Sequence, residues 1–384
     1  MLIGIDMRLC GKKHGGIGRY SFEIAKHILE QDTENQYTLF FNKNSAEPED
    51  LEFFSKFTNV TVVLVGARHY SLAEQISFLR QLNKSKLDLV HFPNFNVPVF
   101  YKKPFVVTIH DVVHHKLGGA KKSHFFHFFA YKKVIAQAAK NAQHIITVSE
   151  FSKKDIVNVL SVSPEKISVI YEGPTLDPHI ASKMVEKIKQ QYLLRRPYFL
   201  FVGVLERKKN LVNLTRGFDL FIKKYKADMN LVIVGKTDKH YPEIKHHALD
   251  ITHNDRLVFT GYVEDDELRA LYAGAYAYVN ASLHEGFGLP GIEAMQFGLP
   301  LLVSNIAVFN EIYDNAAVYF DPSSVPDIAE KMHLISRDPQ FHTQLQTNSI
   351  KRGTFFDWSK AASKTLEVYT ESLSVAPNFL LEDN

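Results

Sequence analysis

Cysteine occurs once in 384 residues, and so does tryptophan. A lone Cys10 excludes an intramolecular disulfide framework and any Cys-rich zinc or iron–sulfur centre. It also fits a reducing compartment. No apolar run approaches the roughly 18 residues of a membrane-spanning helix. The acid-bearing start MLIGIDMRLC does not read as a signal peptide, so a cytoplasmic chain is expected. There is no Walker A loop and no G-x-S-x-G elbow, which counts against P-loop and α/β-hydrolase chemistry. What remains is an ordinary globular mixture, 45% hydrophobic and 23% charged. It is too long for one core, so two domains are expected.

The net charge of +3 hides an uneven spread. Between Tyr101 and Lys154 ten lysines face only two acids, Asp111 and Glu150, and the rest of the chain is net acidic. Such an asymmetry points to an anionic partner, whether nucleic acid, a membrane surface or a phosphorylated substrate.

Short apolar runs alternate with amphipathic stretches. Leu2–Asp6, Tyr37–Phe41, Val60–Val65, Leu87–Phe92, Phe105–Ile109, His144–Val148 and Ile167–Tyr171 read as strands. Between the first two, Gly15 opens a helical pattern carried by Ile17, Tyr20, Ile24 and Ile28. Periodicity is lost from Glu172 to Pro178 and restarts after Arg195-Arg196-Pro197. Strands are then expected at Tyr198–Val202, Asn230–Val234, Val258–Thr260, Ala277–Asn280 and Leu301–Ser304, with a helix near Asn210–Tyr225. Strands separated by helices predict parallel α/β sheets. The expected layout is a Rossmann-like domain over 1–175, a linker over 176–196, and a second Rossmann-like domain over 197–359 facing the first across a cleft. An amphipathic C-terminal helix of about 360–384 should return to the first domain or bridge both.

Ligands bind at the carboxyl ends of such strands, so the loops there are informative. The stretch Glu285-Gly-Phe287-Gly288-Leu289-Pro-Gly-Ile-Glu293 follows a strand, and Pro290 suits the first turn of a helix. Free amides and a helix dipole at that loop suit an anion, and the glycines let it come close. Carboxylates are poor phosphate ligands but good acceptors for sugar hydroxyls. A diphosphate flanked by two hydroxyl-bearing rings would account for both Glu285 and Glu293. A capped helix with acids favouring its dipole explains either glutamate alone, not the pair. After the strand ending at Val202 come Glu206-Arg207-Lys208-Lys209-Asn210, cations able to neutralise a diphosphate. The turn Gly15-Gly16-Ile17-Gly18 is Gly-rich but lacks dinucleotide spacing.

Two further clusters carry other readings. His110, Asp111, His114 and His115 crowd one strand end, as in a metal-dependent hydrolase, although a single cleft histidine contacting a polar substrate explains the segment more simply. The run from Lys121 to Lys133 combines four phenylalanines and a tyrosine with Lys121, Lys122, Lys132 and Lys133. As a helix it has too many aromatics for one stripe, so some should be exposed. Aromatics flanked by lysines suit an anionic membrane interface. A nucleic-acid partner is not expected, since it leaves the phosphate loops unexplained.

Taken together these motifs resemble the retaining nucleotide-sugar glycosyltransferases of the GT-B fold, specifically glycosyltransferase family 4. The likeness runs over nearly the whole length, and the two glutamates with seven residues between them are its most specific part. The resemblance implies that Glu285 holds donor-sugar hydroxyls, Glu293 the nucleotide ribose, and the amides of Phe287, Gly288 and Leu289 the diphosphate. It further implies phosphate binding by Lys209, with Lys208 beside it as a point charge where one branch of the family, with Glu-Pro-Arg-Lys-Asn, has arginine. Gly16 would lie against the donor phosphates, His110 would contact a hydroxyl of the transferred sugar, and Tyr262 and Val263 would lie at the nucleotide base. Two departures stand out: Val204 replaces a common arginine, and Tyr171-Glu172-Gly173 replaces a common Asn-Gly.

The resemblance implies transfer of a hexose with retention, with no cofactor and no metal. Mannose from GDP-mannose is the expected donor, and a UDP-hexose is the alternative. A glycan or lipid-linked glycan in surface polysaccharide synthesis is the expected acceptor. The protein is expected to be peripheral at the inner membrane face.

Overall fold

The computed structural model describes residues 1–69, 71, 73–112, 125–238, 241 and 243–374. Two units divide the chain, one built from Met1–Gly173 and the segment from Asp357 onward, the other from Pro174–Phe356.

Among the described residues the first unit holds seven parallel strands: β1 (Leu2–Asp6), β2 (Gln36–Asn42), β3 (Val60–Val65), β4 (Leu89–Phe92), β5 (Phe105–Thr108), β6 (His144–Thr147) and β7 (Ile167–Val169). Their order is β3-β2-β1-β4-β5-β6-β7. Helices α1 (Gly15–Gln31), α2 (Pro48–Phe54), α3 (Leu79–Lys84), α4 (Phe125–Asn141) and α5 (Glu150–Leu160) separate successive strands except β4 and β5, which a loop joins. Central strands are apolar along their length because helices cover both faces, and Ile3, Ile5, Val90, Val107 and Ile145 are fully buried.

The second unit begins with α6 (Ser182–Gln191). Its strands are β8 (Tyr198–Val202), β9 (Asn230–Val234), β10 (Leu257–Gly261), β11 (Ala277–Asn280), β12 (Leu301–Ser304) and β13 (Ala317–Phe320), six among the described residues. They run in the order β10-β9-β8-β11-β12-β13. Helices α7 (Leu211–Tyr225), α8 (Ile244–Leu249), α9 (Asp265–Gly274), α10 (Leu289–Gln296), α11 (Ala307–Tyr313), α12 (Val325–Arg337) and α13 (Pro339–Gly353) complete it. Phe199, Phe201, Leu214, Phe218, Phe221 and Ile233 form its core. In register, Phe199 of β8 sits between Leu231 of β9 and Ala277 of β11. The chain leaves β8 toward β9 on one side and returns as β11 on the other, which makes the β8/β11 boundary the switch point of this sheet.

The expected linker 176–196 is corrected by the structure. It belongs to the second unit, where α6 lies along α9. Gln191 and Tyr192 both donate to Glu267, at 2.8 and 2.5 Å. The stretch is polar because it covers the unit from outside, not because it is a tether.

The C-terminal helix α14 (Trp358–Ser374) packs on α1 in the first unit. Gln31 donates to Ser359 O at 2.9 Å, and Tyr369 reaches into the core to His91 Nδ1 at 2.6 Å. The other ring nitrogen of His91 meets Thr108 Oγ1 at 2.9 Å. Burial, helped by nearby His110, pushes the His91 pKa down to about 3. The unfolded chain would therefore bind a proton that the folded one refuses. Stability is complete above the ordinary value of 6.5 and declines as pH falls from there toward 3. Urea midpoints measured between pH 7 and 5 should fall on the acid side, by about 1.4 kcal/mol per pH unit from this group once the slope is established. A flat profile would contradict the neutral, buried assignment of His91.

Candidate functional site

The loop after β8 turns through a short helical segment, Arg207–Lys209, and enters α7 at Asn210, which is left-handed with φ 55°. The loop after β11 carries Ser282 and Glu285. Leu283 N donates to Lys208 O at 2.8 Å, so the two loops are stitched together by backbone. Across that seam Lys209 Nζ donates to Glu285 Oε1, and Ser282 Oγ donates to the same oxygen at 2.7 Å. Ser282 is held in turn by Asn280 Oδ1, which accepts from its backbone N–H at 2.9 Å. Burial pushes the Glu285 carboxyl up, but Lys209 and Lys208 more than offset it, and Ser282 adds a donor. The net shift is downward, so Glu285 is a carboxylate at neutral pH. A buried anion with a mobile cationic partner can accept from a hydroxyl while that cation meets a second negative group. Lys208 Nζ lies 3.3 Å from Glu206 and remains on the same loop.

Beyond Glu285 the chain makes a left-handed turn at Gly288 (φ 112°) and enters α10 with Pro290 in its first turn. Tyr313 Oη donates to Gly288 O at 2.8 Å and fixes the turn from behind. Phe287 points inward, edge-on to Phe356 at 5.8 Å. Its buried side chain anchors the loop. Glu293 is buried one turn inside α10. Tyr272 donates to its Oε2 at 3.2 Å and Thr175 to its Oε1 at 3.4 Å. Tyr262 is 43% exposed just beyond β10 with Lys236 Nζ 4.2 Å above its ring, and neighbouring Val263 is buried.

In the first unit, Gly16 lies in the first turn of α1, and a side chain added there would meet nothing within 4 Å. Packing therefore does not require this glycine. His110 sits just beyond β5 with Nε2 3.0 Å from Pro93 O and Nδ1 3.5 Å from Glu172 Oε1. Both ring nitrogens meet protein oxygens, so the imidazole is not turned freely toward solvent. Among the described residues no group of three or more His, Cys, Asp or Glu could hold a metal. His114 and His115 lie outside the described residues.

Residues that motif reading passed over are those that hold others: Ser282, Asn280 and Tyr313 in the second unit, Glu172 and Pro93 in the first. Only Ser282 had a sequence signal, a hydroxyl three residues before a glutamate at a strand end.

Two Rossmann-like units, each built on a parallel sheet, have the architecture of the GT-B class of glycosyltransferase. Solved structures share this fold over the full length. One is HepE from Anabaena, in complex with UDP and glucose, with a TM-score of 0.75 at 17% identity over 97% of this chain and 100% of that one. Another is WaaG, a glycosyltransferase involved in lipopolysaccharide biosynthesis, with a TM-score of 0.71 at 16% identity over 96% and 100%. The family model Glycosyltransferase Family 4 matches residues 14–177, and Glycosyl transferases group 1 matches 184–352. The chain belongs to glycosyltransferase family 4. Among curated relatives it is 24% identical to O-antigen chain mannosyltransferase B of Escherichia coli, over 92% of this chain and 95% of that protein. It is 31% identical to O-antigen chain mannosyltransferase RfbU of Salmonella typhimurium, over 58% and 61%.

Proposed function

We propose that this glycosyltransferase moves mannose from GDP-mannose, with retention of configuration, onto a glycan or lipid-linked glycan in surface polysaccharide synthesis. The observation that carries the reading is the Lys209–Glu285 pair at the β8/β11 switch point, one turn from the start of α10. Lys209 and the amides of 287–289 receive the diphosphate. Glu285 accepts from hydroxyls of the sugar, and Glu293, backed by Tyr272, accepts from the ribose. As the bond to the sugar breaks, charge grows on the leaving phosphate beside Lys209 and the dipole of α10, where it is stabilised most. No Asp-x-Asp pair stands at a strand end in the sequence, so the chemistry is proposed to need no metal. The donor assignment draws on the mannosyltransferase relatives. A UDP-hexose is the second reading, favoured by the HepE likeness.

Thermal stabilisation by GDP, UDP, ADP and their sugars separates the two. A ligand at a hundred times its Kd adds about 2.7 kcal/mol. GDP and GDP-mannose are expected to raise Tm and UDP is not. The reverse pattern would replace mannose by a UDP-hexose.

The acceptor is proposed to be held at an anionic membrane. No helix among the described residues is long and apolar enough to cross one. On α4, Phe129 is 64% exposed, Lys132 and Lys133 are exposed, and Lys132 Nζ lies 4.6 Å over the Phe128 ring. Lys121 and Lys122 lie outside the described residues. Co-sedimentation should show salt-sensitive binding to anionic vesicles, lost when all four lysines become serine. Equal binding to neutral vesicles would reject the anchor.

A further inference from the structure

Glu172 is a buried acid, 6% exposed, two residues before the chain leaves the first unit. Its Oε1 lies 3.5 Å from His110 Nδ1, while His110 Nε2 lies 3.0 Å from Pro93 O on the opposite side of the ring. Both neighbours are oxygen acceptors. A neutral imidazole has one N–H and can donate to only one of them. With Nε2–H given to Pro93, a hydrogen must also lie between Nδ1 and Oε1, whichever of the two atoms carries it. Otherwise lone pair would face lone pair in a buried place. The remaining freedom of the ring is removed by Tyr20, which meets it edge-on with centroids 4.6 Å apart at 90°. Tyr20 is fixed by Thr108 at 3.1 Å and by the Trp358 ring at 5.7 Å. Ser152 Oγ donates to the His110 carbonyl at 3.0 Å, which holds the backbone as well.

We infer that Glu172 is a positioning residue for His110. Its carboxyl shares a hydrogen with Nδ1 while Pro93 O takes Nε2–H, and the ring is held between the two. The functional half of this inference rests on the proposed action of His110 on the transferred sugar. The structural half stands on the protein alone. This gives the acid in Tyr171-Glu172-Gly173 a task, since its side chain reaches Nδ1 of a histidine on a different loop.

The test uses the full chain labelled with 15N-histidine, with the His110 ring signals identified by their loss in His110→Gln. In the unaltered protein His110 should show one ring form with Nε2 protonated. In Glu172→Ala Nε2 should stay protonated on Pro93 O, while the Nδ1 signal should move to that of a nitrogen that has lost its partner. In Glu172→Gln, whose amide can donate to Nδ1, the single form should persist. Unmoved His110 signals in Glu172→Ala, or an Nδ1 signal in Glu172→Gln that has lost its partner, would overturn the inference. Should Glu172→Ala fail to fold, Glu172→Leu, which fills the space without a hydrogen-bonding group, takes its place in the comparison. In transfer assays Glu172→Ala should lower kcat roughly 10–100-fold with the donor KM nearly unchanged, as a small misplacement of a working group does. Glu172→Gln should recover most of that, and Glu172→Ala should cost nothing further in a His110→Ala background. Additive losses would reject action through His110. Absence of transfer with every nucleotide sugar would reject the proposed function, while the spectra would still decide the positioning.

Discussion

Glu285→Ala and Lys209→Ala are each expected to lower kcat about a thousandfold, roughly 4 kcal/mol of transition-state stabilisation. The two residues follow different strands, and each acts through the geometry the other helps to fix. The double variant should therefore be little worse than the more damaged single one. Their effects on stability should differ. Removing Lys209 leaves the Glu285 carboxylate buried with Ser282 and the more distant Lys208, an uncompensated charge that is costly to keep. Removing Glu285 leaves a lysine on a long stem that can turn to water. Lys209→Ala should thus lower Tm more than Glu285→Ala, although both remain folded. Initial rates with the stabilising nucleotide sugar, measured beside thermal melts, test this. Near-normal rates in either variant would remove the pair from the chemistry.

Gly288→Ala is expected to abolish nucleotide binding and to destabilise the second unit. Two separate obstacles coincide at this residue. Its φ of 112° is a conformation that side-chain-bearing residues rarely adopt. A Cβ there would lie 2.2 Å from Tyr313 Oη and 3.1 Å from the Phe309 ring. Strain and overpacking each cost about 1–3 kcal/mol. The turn cannot simply retreat, because Tyr313 is hydrogen-bonded to the carbonyl of the same glycine. Adding Tyr313→Phe to Gly288→Ala removes the clashing oxygen but also that bond, and leaves the backbone strain. Only partial recovery of Tm should follow. A Gly288→Ala protein with unchanged Tm and unchanged stabilisation by nucleotide would show that the loop does not need this turn.

Strand positions were readable because parallel strands buried on both faces are apolar without interruption. Tyr198–Val202, Asn230–Val234, Ala277–Asn280 and Leu301–Ser304 are strands over those same residues. β13 (Ala317–Phe320) escaped notice. Its four residues follow a short helical turn at Asp314–Ala316, and so short an apolar run does not stand out. Helix α6 was hidden for the opposite reason. It lies on the outside of its unit, and its polar face reads like a connection. Lys209 and Glu285 were each visible in their own loops. That one donates to the other depends on β8 and β11 becoming neighbours, which is a property of strand order and not of either motif. Glu172 could not be found from spacing at all, because its partner His110 lies on a different loop and no pattern links the two. On α4 the excess of aromatics over one helical stripe did foretell an exposed ring, Phe129.

The chain passes from the first unit to the second at Gly173–Pro174 and returns at Phe356–Asp357, so the first unit is assembled from both ends of the sequence. Synthesis runs from one end only. All of the second unit has been made before α14 exists. Until then α1 lacks the helix that covers it, and His91 lacks the hydroxyl of Tyr369. Gly173 and Trp358 close the junction so tightly that a methyl group at Gly173 would come within 2.5 Å of the Trp358 amide nitrogen. During translation the inserted unit can reach its native core while the unit that began first still waits for its last helix. A chain stopped short of Trp358 would therefore carry a finished middle and an unfinished beginning.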